Sequence, residues 1–311
     1  METKKQIYDA IVIGGGPGGL TAAIYLCRKM LQTLVITDTI GGQAVMSSDI
    51  ENYLGFTMVT GTELAQHFRH HIAHFPQYLR VHEGLRVTAL RRMAHKRSLF
   101  EVVAGEETFQ SRCVIIASGR KPRRLGIPGE KEFWGRGVVH STSADAPLYR
   151  DKTVVVIGGG NSAMDCALVL NRFAKQVYVV NNLSELHGDE MMKDKVLSQN
   201  RIRIYNNTQA REIYGQTAVG GIRVVRKEGP EEDLTVEGVF VEVGWESEVD
   251  FDQLTEKDQN KRIKVDAYMR TTVPGIFAVG DVNNIEGEHI IIAAGEGAKG
   301  ALAAAEYLNT L

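Results

Sequence analysis

Three glycines near the start of the chain have types and spacing suited to binding phosphate. Gly14, Gly16 and Gly19 follow an apolar run, residues 10–13, and precede a segment with apolar residues at helical spacing. In such a strand–turn–helix unit, the first glycine permits the turn, the second lets a pyrophosphate approach, and the third allows close helix packing. The free N–H groups of a helix starting near Pro17 would bind the phosphates.

A second loop of the same kind lies in the middle of the chain. Gly158 and Gly160 follow the apolar residues 154–157, and Ala163 takes the third glycine position. Two such units in one chain predict an oxidoreductase that binds a flavin dinucleotide and a nicotinamide dinucleotide. The candidate residues for the second nucleotide are Gly158, Gly160, Asn161, Ser162, Ala163, Asn181 and Asn182.

The segment after the next strand bears on the choice of nicotinamide. Residues 181–185 follow a predicted strand at 176–180 and contain no Arg or Lys. A 2′-phosphate would need a basic residue there. The sequence therefore favours NADH over NADPH.

Two aspartates follow predicted strands, where ligands bind in an open α/β sheet. Asp38 follows the strand at 33–36 and is a candidate for binding a ribose hydroxyl, although a solvated turn aspartate is an equal alternative. Asp281 follows the short apolar segment 277–279 and could accept a hydrogen bond from a polyol, although a helix-capping role is the alternative.

Histidines and cysteines offer less chemistry. His67, His70, His71 and His74 share one predicted helix, 62–79, but no Asp, Glu or Cys joins them, so a solvated helix face is favoured over a metal site. The cysteines are far apart in sequence and form no CxxC pair, which favours reduced core residues.

Length and composition limit the protein class. The chain has 311 residues, 43% hydrophobic and 24% charged, which suits a globular protein of two domains. The net charge of −2 argues against nucleic-acid binding. No apolar run is long enough to span a membrane and no signal-peptide pattern opens the chain, so we expect a cytoplasmic protein.

Several motifs together resemble the low-molecular-weight thioredoxin reductase family over essentially the whole chain. They are GGGPGG at 14–19, GGQ at 41–43, IENYLGF at 50–56, ASG at 117–119, DAPLY at 145–149, GGGNSA at 158–163, PGIFAVGD at 274–281 and AGEGAK at 294–299. The resemblance implies an α/β fold of two Rossmann-like three-layer ββα dinucleotide-binding domains. An FAD-binding domain would comprise residues 1–117 and 245–311, around an NAD(P)-binding-like domain at 118–244, in a homodimer.

The resemblance, with the glycine and strand-end patterns, also gives a set of FAD-binding candidates. Asp281 would bind the ribitol, and residues 41–43 and 51–52 would lie near the flavin ring. The candidates are Gly14, Gly16, Pro17, Gly19, Asp38, Gly41, Gly42, Gln43, Asn52, Ala117, Ser118, Gly119, Gly280, Asp281, His289 and Ile290.

Functional positions depart from the family pattern. Ser141 and Ala144 stand where the family has its redox-active CxxC, and neither can form a thiolate or a disulfide. The family's His-Arg-Arg segment for NADPH is replaced by Val180-Asn181-Asn182. Thr37 stands where an acid is usual, and Glu288-His289 replaces a basic-Gln pair.

The expected function is an FAD-dependent oxidoreductase without an active-site disulfide. Electrons would pass between FAD and NADH or a ferredoxin- or flavodoxin-type protein, with Asp145, His140 and His289 as candidate proton donors. One alternative is a ferredoxin-linked, nicotinamide-independent disulfide reductase that uses unconventional cysteines and a thioredoxin-like partner. Another is a flavin-binding sensor or scaffold with a second nucleotide, such as a second FAD, in the NAD(P)-like domain.

Overall fold

The structure is a computed structural model that describes residues 6–47, 50–93, 99–139, 145–227 and 229–311. The chain divides into two compact units. The first comprises Met1–Lys121 and Glu246–Leu311, and the second comprises Pro122–Trp245. The chain thus crosses from one unit to the other after residues 121 and 245. The sequence predicts these domain boundaries after residues 117 and 244.

The first unit is built on a mainly parallel sheet. Its parallel strands lie in the order β3-β2-β1-β6-β17, and β5 and β4 extend β6 in antiparallel fashion. The strands are β1 (Ile7–Ile13), β2 (Thr33–Thr37), β3 (Leu79–Glu83), β4 (Val87–Arg92), β5 (Phe100–Ala104), β6 (Glu107–Ile116) and β17 (Ile276–Ala278). The central strands are continuous apolar runs because both faces of the sheet are buried.

Three helices accompany this sheet: α1 (Pro17–Arg28), α2 (Gly61–Ile72) and α5 (Ile290–Asn309). Helices α1 and α5 pack closely. Gly297 permits this approach, because a Cβ at this position would lie only 2.1 Å from the carbonyl oxygen of Gly18. Helix α2 begins with a capping box between Thr60 and Glu63 and ends earlier than the predicted residue 79. His67, His70 and His71 lie on α2 and His74 follows it; all four are exposed, and the described residues contain no cluster suited to a metal ion.

The second unit repeats the arrangement with a parallel sheet in the order β11-β10-β9-β15-β8 and an antiparallel sheet β12-β13-β14. Its strands are β8 (Val138–Val139), β9 (Thr153–Ile157), β10 (Gln176–Val180), β11 (Ile202–Tyr205), β12 (Thr208–Gly215), β13 (Val219–Arg226), β14 (Glu231–Leu234) and β15 (Gly238–Val241). Its helices are α3 (Asn161–Asn171) and α4 (Glu190–Leu197). The short strands β7 (Arg120–Pro122) and β16 (Trp245–Ser247) lie at the crossings.

Each unit therefore places a glycine-rich turn between a central parallel strand, β1 or β9, and the following helix, which is the arrangement of a Rossmann unit. No helix in the described part of the chain is both long and apolar enough to cross a membrane.

Candidate cofactor site

A cavity of about 920 Å³ opens in the first unit where β1, β2, β6 and β17 end. The carboxyl ends of parallel strands meet at one sheet edge, and ligands of open α/β sheets bind there. The cavity is near the upper end of the usual range for cofactor sites, about 300–1,000 Å³. Its lining includes the predicted residues Gly14, Gly16, Pro17, Asp38, Gly42, Gln43, Ala117, Ser118, Gly119, Gly280, Asp281, His289 and Ile290.

The first glycine-rich loop has the geometry of a phosphate cradle. Gly14 has a φ of +113°, and a Cβ there would lie 2.2 Å from the carbonyl oxygen of Ala117. A Cβ on Gly19 would lie 2.0 Å from the carbonyl oxygen of Gly14, so this glycine permits the close packing of helix on turn. In front of Gly16, no atom of the described residues lies within 4 Å of a Cβ position. Gly16 therefore leaves space for a ligand.

Two helix N-termini face this cavity. Helix α1 follows Gly16, and α5 follows His289; no side chain of the described residues caps either helix. The first N–H groups of a helix lack intrahelical partners and carry partial positive charge. Both helices can therefore bind anionic groups in the cavity.

Thr37 and Asp38, adjacent at the end of β2, have different environments. The buried Thr37 hydroxyl accepts a hydrogen bond from the Gly15 N–H at 2.9 Å and donates one to the Thr39 carbonyl at 3.0 Å. Asp38 lines the cavity, and its carboxylate pairs with Arg86 at 2.5 Å. Thr37 thus stabilises the glycine loop, and Asp38 is the acid exposed to a ligand.

Asp281 lies beside a second carboxyl group. Burial raises the pKa of Asp281, and the Arg120 guanidinium opposes that rise. Glu296 on α5 is buried and accepts hydrogen bonds from the Gly280 N–H and the Asn283 amide, both at 2.7 Å. Burial also raises the pKa of Glu296. Glu296 therefore fixes the turn that carries Asp281.

Two arginines that line the cavity, Arg86 and Arg120, are not among the residues predicted from the sequence. Arg86 joins Asp38 to Glu248, whose carboxylate lies 3.3 Å from the guanidinium. Arg120 pairs with Glu288, and Gln43 donates a hydrogen bond to the Arg120 carbonyl. No local motif marks these residues because each pair is far apart in sequence.

Three candidates lie outside the lining of the cavity. Gly19 and Gly41 lie next to the backbone that lines the cavity. The Gly41 N–H donates a hydrogen bond to the Gly15 carbonyl at 2.8 Å. The Asn52 amide nitrogen lies 3.5 Å from Nδ1 of His289, which itself lines the cavity.

The proposed acid–base residues are divided between the units. His289 lies at the cavity, whereas Asp145 lies in the second unit, just before a short 3-10 helix, Ala146–Tyr149. His140, Ser141 and Ala144 lie outside the described residues.

The three cysteines lie in the interior of the protein. Cys27, Cys113 and Cys166 are buried, and none of them lines the cavity. Burial raises the pKa of Cys27 to about 11, and it raises the pKa of the Cys113 thiol further. The thiolate, which is the reactive form, is therefore disfavoured at both residues.

The second glycine-rich loop has the same turn but a different surface. Gly158 has a φ of +140°, and a Cβ there would lie 2.2 Å from the Glu242 carbonyl oxygen. In front of Gly160, however, Nε2 of His187 lies 3.2 Å from the Cβ position. The His187 N–H donates to the Gly159 carbonyl at 2.9 Å, which holds the segment over the loop.

The polar candidates around this loop mostly bond to the protein itself. The Asn161 side-chain oxygen accepts from the Asp189 N–H at 2.9 Å. The buried Asn181 amide donates to the Glu185 carbonyl at 2.7 Å. Ser162 and Ala163 lie in the first turn of α3, and Asn182 lines a separate cavity in this unit.

The first cavity fits FAD by its own geometry. It combines a glycine cradle with open space at Gly16, two uncapped helix N-termini for the pyrophosphate, and two carboxylates, Asp38 and Asp281, for hydroxyl groups.

Comparison with known proteins identifies the family. A profile of the pyridine nucleotide-disulphide oxidoreductase family matches residues 8–297. The Treponema pallidum (strain Nichols) protein named thioredoxin reductase is 36% identical over 307 residues, which are 98% of this chain and 98% of that protein. A Bacillus subtilis (strain 168) protein named NADH dehydrogenase is 35% identical over 309 residues. That alignment covers 98% of this chain, which spans only 59% of the length of the Bacillus relative.

A solved structure agrees with the fold. The crystal structure of Lactococcus lactis thioredoxin reductase (FR conformation) superimposes with a TM-score of 0.83 at 30% identity, covering 98% of this chain and 100% of that one. The expected α/β fold with two Rossmann-type domains is thereby confirmed. The chain belongs to the pyridine nucleotide-disulphide oxidoreductase family and has a thioredoxin reductase-like fold.

Proposed function

We propose that this protein passes electrons between FAD and an external donor and acceptor without an active-site disulfide. The observation that carries the proposal is the placement of its cysteines. All three cysteines are buried, and the sequence contains no CxxC. A dithiol relay needs two accessible sulfurs that can form a thiolate and a disulfide. Electrons would therefore leave directly from the flavin to the acceptor.

The residues around the first cavity would hold the cofactor. The N–H groups at the start of α1 would bind the pyrophosphate, Asp38 a ribose hydroxyl and Asp281 the ribitol. Bound FAD would supply the redox chemistry, taking up two electrons and releasing them to an acceptor. The protein's own part is to bind and orient the ring and to exclude water from it.

A nicotinamide dinucleotide is the first donor that we propose. The Rossmann layout of the second unit supports this, as does the pyridine nucleotide in the family's name. When bound, the nicotinamide would supply a hydride, that is two electrons and a proton, to FAD, so that FAD would be reduced and the nucleotide oxidised. The lack of basic residues at 181–185 favours NADH from sequence alone.

A ferredoxin- or flavodoxin-type donor is the second candidate, and His187 favours it. With the imidazole in front of Gly160, a pyrophosphate reaches this loop only after the ring moves. A protein donor would not need the second nucleotide site at all.

Proton transfer, assembly and location complete the proposal. His289 is the proton-donor candidate that lines the cavity, and Asp145 and His140 are the candidates from the second unit. We propose a homodimer that works in the cytoplasm with an external redox partner.

Anaerobic spectra test the donor. The purified holoprotein would be titrated separately with NADH, with NADPH and with reduced ferredoxin. Flavin bleaching by either nicotinamide supports the first donor, and bleaching by reduced ferredoxin alone supports the second. No bleaching by any of them would refute both donor assignments.

Substitution of the cysteines tests the missing relay. The triple variant Cys27→Ala, Cys113→Ala, Cys166→Ala should keep full turnover with an artificial acceptor and with the physiological partner once it is known. The thermal midpoint must be measured alongside, because all three side chains are buried. A folded, flavin-loaded variant that accepts electrons but no longer delivers them would instead support a disulfide reductase with unconventional cysteines.

A further inference from the structure

A second cavity, of about 600 Å³, lies within the second unit and has a strongly basic lining. Arg211, Arg226 and Lys227 line it, together with polar side chains from Asn182, Ser184, Asn207 and Gln209. Among the described residues that line it there is no carboxylate. Such a cavity attracts an anion.

The position of this cavity in the fold suggests which anion. In a Rossmann unit, the adenosine ribose lies at the end of the second strand, where an Arg accommodates a 2′-phosphate. Here that strand is β10, which ends at Val180, and the cavity lining begins at Asn182. The opposite wall comes from β12 and β13. The cations therefore lie beside the expected position of the ribose.

The walls are joined by backbone hydrogen bonds. The Asn207 N–H donates to the Leu183 carbonyl at 2.8 Å, and the Lys227 N–H donates to the Asn207 carbonyl at 2.8 Å. The segment after β10, the turn after β11 and the end of β13 are thus held as one frame. Arg226 and Lys227 stand at the end of β13 in that frame, and the Arg226 guanidinium lies 5.6 Å from the centre of the Tyr205 ring.

A β-bulge contributes one of the cations. The pairing of β12 with β13 shifts register between Ala210 and Glu212, which leaves Arg211 as the extra residue. Bulges re-aim a side chain and recur next to functional sites. The neighbouring Glu212 is engaged by Arg223 at 2.8 Å, and Arg211 lines the cavity.

We propose that this cavity binds the 2′-phosphate of an adenine dinucleotide, so that the nicotinamide donor is NADPH. This reverses the preference that residues 181–185 suggest. It deepens the proposed function and rests on it, because a nicotinamide donor must be used for the preference to matter. The adenosine half can enter without displacing His187, which does not line the cavity.

Binding of nucleotide fragments tests the proposal without any electron transfer. Adenosine 2′,5′-bisphosphate and AMP differ only in the 2′-phosphate. Calorimetry with the FAD-loaded protein should show at least about tenfold tighter binding of the bisphosphate, and the preference should weaken at high salt.

Variants identify the residues. Arg211→Gln, Arg226→Gln and Lys227→Gln in one chain should abolish the preference and leave AMP binding nearly unchanged. Arg203→Gln is the matched control, because Arg203 is an exposed arginine of the same unit outside the cavity lining. The control variant should prefer the bisphosphate over AMP as strongly as the parent protein does.

The outcomes separate this proposal from the proposed function. A preference that the triple variant loses supports the site, even if no nicotinamide bleaches the flavin; in that case only the donor assignment fails. Equal binding of the two fragments, or a preference that survives in the triple variant, overturns the site. Inorganic phosphate binding as tightly as the bisphosphate overturns it too, because the cavity would then be a general anion site.

Discussion

Gly16 and Gly160 occupy the same place in two copies of one turn, yet their surroundings differ. Open space lies in front of Gly16, whereas the His187 imidazole stands 3.2 Å from the Cβ position of Gly160. Both turns keep a positive φ at their first glycine. The second loop has therefore kept the backbone of a phosphate site while a side chain covers its surface.

Substitution of Gly16 should separate cofactor binding from folding. Gly16→Ala adds a methyl group that meets no described atom of the protein but enters the cavity. The thermal midpoint of the apoprotein should stay close to that of the parent, and the flavin content after purification should fall. Absorbance per protein measures the flavin content.

Gly14→Ala is the matched control in the same loop. Its φ of +113° and the 2.2 Å approach to the Ala117 carbonyl oxygen oppose any side chain. A positive φ alone costs about 1–2 kcal/mol, so the apoprotein itself should be destabilised. A Gly16→Ala protein with full flavin content would show that the cofactor does not approach this glycine.

Thr37 and Asp38 should respond differently to substitution. Thr37→Val leaves the buried Gly15 N–H without its acceptor, which should lower the free energy of unfolding by about 1–3 kcal/mol. Asp38→Asn removes an exposed charge whose pair with Arg86 stabilises by less than about 1 kcal/mol. Urea unfolding of the apoproteins measures both effects.

The rate of FAD dissociation tests whether Asp38 also binds the cofactor. Asp38→Asn should release FAD faster than the parent protein, because the ribose loses a charged acceptor. If Asp38→Asn kept FAD as tightly as the parent protein, the assignment of Asp38 to the ribose would be wrong.

Glu296 should make the apoprotein less stable as the pH rises. Burial raises its pKa above the ordinary value of 4.5, so the folded state binds more protons than the unfolded state. The corresponding stability is complete below about 4.5 and is lost as the pH rises through the folded pKa. Burial shifts the pKa of Asp281 in the same direction.

Glu296→Gln removes this titration. Both hydrogen bonds to Glu296 are accepted by one oxygen, Oε2, so the amide oxygen of glutamine can accept them in the variant. The informative quantity is the slope: between about pH 4.5 and 7 its free energy of unfolding should fall less steeply than that of the parent. An unchanged slope would mean that Glu296 has the same pKa in both states.

Removal of the His187 ring should ease the entry of a whole dinucleotide. In His187→Ala the pyrophosphate no longer has to displace the imidazole from Gly160, so a few-fold gain in NADPH affinity is expected. Binding of adenosine 2′,5′-bisphosphate should stay unchanged, because His187 does not line the basic cavity. Weaker NADPH binding would show instead that the imidazole itself holds the pyrophosphate.

Local sequence patterns predict the glycine turns and the central strands, and thirteen of the sixteen FAD-binding candidates line the cavity. These features follow from short-range rules: glycine at positive φ, and buried parallel strands as apolar runs. The prediction places the end of helix α2 too late, because His74 continues the spacing of the helix histidines although the helix ends at Ile72.

Long-range contacts could not be predicted in this way. Arg86 meets Glu248 and Arg120 meets Glu288 across most of the chain, and no spacing rule encodes such pairs. The basic cavity was missed for the same reason. Its cations lie on β12, on β13 and directly after β13, whereas the sequence pattern for a 2′-phosphate concerns only the segment directly after β10.

The flavin is proposed to work without a disulfide partner, and the number of electrons that the holoprotein takes up tests this proposal. Anaerobic titration of the holoprotein with dithionite, normalised to bound FAD, should be complete after about two electrons per flavin, because FAD is the sole two-electron acceptor. A disulfide would take up two more. Uptake of about four electrons per flavin, with two new thiols per subunit, would contradict the account.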